Sequence, residues 1–193
     1  MYWFKLKHPG AIGLICVFVL PVFFTACKPE IKNNGAFNLK GYFAGEIATL
    51  KKQNLPVFKT VTHDAITKTN GVKHNAVTET KTIHIADWAQ ELSLFTDADI
   101  NKPAWKNSYK VIDEDGLLIY RAKEKDLKVR ELIIKRDKQK VHYILIYNKT
   151  DNLLYTTTQK LTYFPDSLYQ IETMQHVKLM GANFYKITGI IKK

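Results

Sequence analysis

The sequence predicts an α+β fold: a mostly antiparallel β meander, its curved sheet or half-barrel packed with two helices. Three observations predict it. Nine segments rich in Val, Ile, Thr and Tyr are separated by turn chemistry. The later connections are too short for crossover helices, so neighbouring strands must pair antiparallel. Two stretches carry apolar residues at helical spacing.

The first helix is expected over 39–53. Leu39, Phe43, Ile47 and Leu50 form one stripe, Asn38 suits the N-cap, and Asn54-Leu55-Pro56 ends it. Gly41 and Gly45 each weaken it by about 1 kcal/mol relative to Ala, so docking must hold it. Strands follow over 57–62 and 76–83, with Thr69-Asn70-Gly71 as the turn between them. A second helix is expected over 85–97, with Ile85, Trp88, Leu92 and Phe95 on one face and Asn101-Lys102-Pro103 as its terminator. Seven strands are expected near 109–112, 117–122, 127–136, 141–148, 153–164, 168–179 and 184–191. Some are apolar on both faces: Val141, Tyr143, Leu145 and Tyr147 on one, Ile144 and Ile146 on the other. One face then packs on helices while the other closes a barrel or groove.

The chain divides into 1–26, 27–38 and 39–193. Residues 1–26 have the order of a secretory signal peptide: Lys5, Lys7 and His8, then an apolar run over 11–24, then Thr25 and Ala26. The run is shorter than the roughly 20 residues of a membrane span and contains Pro21. Phe24-Thr25-Ala26-Cys27 resembles a lipobox, with Phe24 where Leu is usual. The resemblance implies cleavage before Cys27 and acylation there, by diacylglycerol on the thiol and a palmitate-type chain on the amine. One acyl chain anchors marginally and two or three anchor stably. Residues 28–38 are polar and read as a tether, leaving 39–193 as a single α+β domain.

Cys16 and Cys27 are the two cysteines, and Cys16 lies in the segment to be removed. The mature domain is thus expected to be free of disulfides and of thiol chemistry. Against 18 acidic side chains the chain has 29 basic ones; loss of Lys5 and Lys7 leaves 27, a formal +9. The basic residues are dispersed, so the reading is a mixed-charge surface with a bias toward acidic partners, not a nucleic-acid site.

Motifs for chemistry are sparse. His63, His74, His84, His142 and His176 form no close pair with ligand spacing, and no metal or cofactor is expected. Asp97, Asp99 and Asn101 hint at a calcium loop, but Pro103-Ala104-Trp105 follows where Gly and Glu are needed; the stretch reads as an irregular turn, with Trp105 packed into the core beside Trp88. Ser93, Ser108 and Ser167 lie outside any GxSxG. The surplus is tyrosine. Tyr120, Tyr143, Tyr147, Tyr155 and Tyr163 lie on expected strands, where ring faces and hydroxyls suit a ligand groove or ordinary strand packing.

The segments DINKPAW (99–105), NLLYTTTQKLTYFPDSLYQI (152–171) and KLMGANFYKITG (178–189) resemble those of uncharacterised envelope lipoproteins of Bacteroidota, and Lys28-Pro29-Glu30 resembles in part their charged export signals. The resemblance implies the cell envelope, with the outer membrane as the expected address, and brings no activity or site residues with it. The function expected is a lipid-anchored, non-enzymatic ligand-binding or assembly module. Its partners would be the membrane through the anchor, and an acidic glycan, lipid or another envelope protein. A lipid or lipoprotein carrier with a half-barrel cavity is the alternative, and a hydrolase stands behind both.

Overall fold

Helix α1 (Leu39–Gln53) begins where the sequence places it. The Asn38 side chain accepts from the Gly41 amide at 2.9 Å, and Asn54 closes the helix in the left-handed region at φ 45°. Leu39, Phe43 and Leu50 are buried and Ile47 packs beside them. The computed structural model describes residues 36–67, 73–138 and 140–192. The expected signal peptide, Phe24, Thr25, Ala26, Cys27, nearly all of the expected tether and the expected Thr69-Asn70-Gly71 turn lie outside the described residues.

Nine strands follow: β1 (Val57–Thr67), β2 (Lys73–Ile83), β3 (Tyr109–Glu114), β4 (Leu117–Ala122), β5 (Val129–Asp137), β6 (Lys140–Asp151), β7 (Tyr155–Phe164), β8 (Leu168–Val177) and β9 (Gly181–Ile191). They form one antiparallel sheet in the order β2-β1-β9-β8-β7-β6-β5-β4-β3. From β3 to β9 this is the expected meander. The first hairpin adds to its far edge, where Val57 pairs with Ile191 and Ile66 with Ala182. The β2–β3 connection must therefore cross the sheet from edge to edge, and it carries the remaining helices over one face.

Two expectations are corrected. The sheet is not a half-barrel or closed groove: β2 and β3 are free edges, each paired on one side alone. The helices number three, not two, among the described residues. The expected helix over 85–97 is split into α2 (Trp88–Glu91) and α3 (Ser93–Thr96). Asp87 starts α2 at Trp88 by accepting from the amides of Ala89 (2.9 Å) and Gln90 (3.2 Å). Leu92, at φ −100° and ψ 13°, then breaks the α ladder while its side chain stays fully buried. The split keeps Trp88, Leu92 and Phe95 on the core side. A 3-10 turn, Pro103–Trp105, completes the crossing.

The helices cover the face that holds Leu118, Tyr120, Leu132, Ile134, Ile144, Ile146, Leu161, Tyr163, Tyr169 and Ile171, all buried. The other face carries Tyr143, Leu145, Tyr147 and Lys149 on β6 and, among the described residues, no helix. One residue changes sides. Lys135 pairs with Tyr143 but Arg136 with Val141, so the strand bulges at His142. Val141 is thereby turned to the helix-covered face and buried, away from Tyr143.

Candidate ligand surface on the open face

The five tyrosines expected at a groove do not share one surface. Tyr120 and Tyr163 are core residues. The Tyr120 hydroxyl accepts from the Phe37 amide at 2.8 Å, and the Tyr163 hydroxyl donates to Glu46 at 2.6 Å. Burial raises the pKa of both phenols. Tyr155 pairs with Val177 on the helix-side face, at the end of the sheet remote from the helices. Tyr143 and Tyr147 remain on the open face, where Tyr143 lies 5.7 Å from the Phe164 ring.

Around Tyr147 the open face holds a depression of about 380 Å³. The register explains its lining. One cross-strand row runs Tyr147, Lys160, Glu172, Lys186, and the next runs Lys149, Thr158, Met174, Phe184. Period-two alternation points all of them to the same side. Tyr147, Met174 and Phe184 provide apolar area, and Lys149, Lys160 and Arg130 provide positive charge. Glu172 is held by Lys186 at 3.1 Å, so it is already neutralised. A second depression, lined by Lys125, Asp126, Arg130, Lys149 and Asp151, adjoins the first and shares Arg130 and Lys149 with it. Such a surface suits an extended anion with an apolar or ring-faced side: rings stack on the aromatics, and carboxylate or sulfate groups meet the cations. Lys149, Lys160, Met174 and Phe184 were not singled out from the sequence. Strand register is the signal that gathers them.

The irregular turn at Asp97, Asp99 and Asn101 has a structural use. Asn101 is buried, and its amide donates to the Phe37 carbonyl at 2.7 Å and to Asp99 at 3.2 Å. With Tyr120 on the Phe37 amide, both backbone groups of Phe37, a residue of the expected tether, are held by side chains of the sheet domain. Trp105 lines a cleft here with Ala36, Tyr109 and Tyr120, under the Lys102 ammonium at 4.3 Å, while Trp88 packs edge-on against Tyr169. His63 and Asp64 point to opposite faces of β1; His63 stacks on Tyr185 at 4.4 Å, and Asp64 accepts from the Asn75 amide. No group of three or more His, Cys, Asp or Glu suited to a metal occurs among the described residues. Nor is any helix among them long and apolar enough to cross a membrane. Comparison with protein-family models, curated proteins and solved structures gives no match, so the reading of this surface rests on its own geometry.

Proposed function

We propose that this chain is an envelope lipoprotein, acylated at Cys27 and held to the outer membrane, whose sheet domain is a non-enzymatic binding module for an acidic glycan. The observation that carries the binding role is the open-face depression, where Tyr147, Met174 and Phe184 lie beside Lys149, Lys160 and Arg130. Sugar rings stack on aromatic faces, and uronate or sulfate groups pair with lysine and arginine. The anchor rests on the order of basic, apolar and small residues before Cys27. The carrier alternative depended on a half-barrel, and the open sheet order removes that basis.

The test is calorimetric titration of the purified protein with a panel of neutral, uronate-containing and sulfated glycans. Binding to acidic members is expected to weaken with salt, and by about tenfold in Lys160→Glu, the effect of losing one well-placed charge contact. Equal affinity for neutral and acidic glycans, or no binding to any, contradicts the assignment. Hydrolysis of a panel member that a single substitution abolishes makes the protein an enzyme instead.

A further inference from the structure

The sheet end remote from the helices carries its most exposed apolar side chains. Residues 153–154 and 178–179 read as strand from the sequence, yet β7 starts at Tyr155 and β8 stops at Val177. The four aliphatic residues of these two turns stand in water: Leu153 is 82% exposed, Leu154 69%, Leu179 106% and Met180 80%. Neither turn is loose. Asn152 Oδ1 accepts from the amides of Leu154 and Tyr155, both at 2.9 Å. The Met180 amide donates to Val177, and the Lys178 amide to the Leu154 carbonyl at 3.0 Å, which joins one tip to the other. Leu179 holds φ +72°, a left-handed conformation that Gly or Asn adopts far more readily than Leu. A polar turn residue would be easier to fold and easier to solvate there.

Lysines flank the pair of tips on the β5–β6 side. Lys178 is part of one, and Lys149 lies just before the other, 3.5 Å from Asp151. Lys123, Lys125 and Lys128 belong to the β4–β5 connection at the same end, where the Lys149 amide donates to the Lys128 carbonyl. Glu124, Asp126 and Asp151 are the acids among them. We infer that these two tips dock the domain onto an anionic phospholipid bilayer, the leucines and Met180 entering the headgroup–acyl boundary and the lysines meeting lipid phosphates. Aliphatic side chains flanked by lysine are what that boundary favours. Two hairpin tips are small beside the roughly 800 Å² per partner of a stable protein interface, and a bilayer asks for no matching surface. The inference takes from the proposed function only the nearness of a membrane.

The test uses the full chain on vesicles of phosphatidylcholine, with and without phosphatidylglycerol, and brominated lipids as quenchers. A tryptophan introduced by Leu179→Trp reports on the tip, and one introduced by Ser167→Trp reports on the opposite end of β7 and β8. With anionic vesicles the tip reporter is expected to be quenched about twofold more than the Ser167→Trp control, and Lys149→Glu with Lys178→Glu is expected to abolish the difference. Amide exchange of the unsubstituted protein checks this without a new side chain: residues 152–155 and 178–181 should slow on anionic vesicles. Equal quenching at both ends with unchanged exchange overturns the inference, as does protection that needs a second protein. Fatty-acid labelling of the same sample separates the two claims. A labelled chain with free tips loses the docking alone, and a docked but unlabelled chain loses the anchor alone.

Discussion

Tyr163 and Tyr169 stand directly opposite one another on β7 and β8, and their hydroxyls donate to carboxylates on different helices, Glu46 on α1 and Glu91 on α2, each at 2.6 Å. Both phenols are fully buried. The pair ties the helical layer to the sheet at its centre, and Lys59 on β1 strengthens the second tie by pairing with Glu91 at 2.7 Å. This is how short helices with little intrinsic stability stay docked.

Glu46 makes the first tie dependent on pH. Burial raises its pKa, Asp166 adds to the rise, and the hydrogen bond from Tyr163 opposes it. A carboxyl with a raised folded pKa binds its proton more tightly in the native state. Its contribution is thus fully present below the unfolded value and is lost as pH rises through the folded one. Glu46→Gln keeps an acceptor for Tyr163 and removes the charge. Denaturant melts at about pH 4 and pH 7 should show a smaller fall in stability for this variant than for the unsubstituted protein. Identical falls contradict the assignment.

Gly189 makes the second tie possible. It faces Tyr169 across the β8–β9 register, and a Cβ at this position would run into the Tyr169 ring. The ring lies over the bare backbone and reaches Glu91 from there. Gly189→Ala must displace it and strand the buried Tyr169 hydroxyl, while Glu91 keeps Lys59. A loss of about 2 kcal/mol is expected in chemical denaturation, within the range for overpacking and an orphaned buried polar group. Tyr169→Phe combined with Gly189→Ala should lose less than the sum of the two single changes, because they disturb the same contact.

The two glycines of α1 should respond in opposite ways. A Cβ at Gly45 meets nothing, so Gly45→Ala should stabilise the domain by about 0.5–1 kcal/mol. A Cβ at Gly41 collides with the Asn38 side chain, the N-cap itself. Gly41→Ala should therefore gain nothing or lose stability, since losing such a cap costs about 1 kcal/mol. Thermal melts of the two variants side by side decide the matter.

Much of the fold was legible because strand and turn chemistry are local. All nine strands were expected, and Asp115-Gly116, with φ 50° and 71°, forms the tight hairpin that Asp-Gly announces. What was missed is set by partners distant in sequence. The apolar stripe of Trp88, Leu92 and Phe95 is indifferent to the break at Leu92, so the pattern alone reads as one helix. Val141 changes face through a bulge that the alternation of β6 does not betray. Tyr120 and Tyr163 have the same strand context as Tyr143 and Tyr147, and only the path of the β2–β3 connection decides which face is covered. That the sheet stays open follows from β1 pairing with β9 while β3 remains at the opposite edge, a choice no local signal makes.

The proposed membrane anchor rests on Cys27. The direct measurement is the intact mass of the protein isolated from membranes, with fragmentation of its N-terminus. The expected species is a chain beginning at Cys27, heavier than its residues by a diacylglyceryl group and an amide-linked acyl chain, and this modified form should be lost in Cys27→Ala. A chain beginning elsewhere, or beginning at an unmodified Cys27, would contradict the proposed anchor.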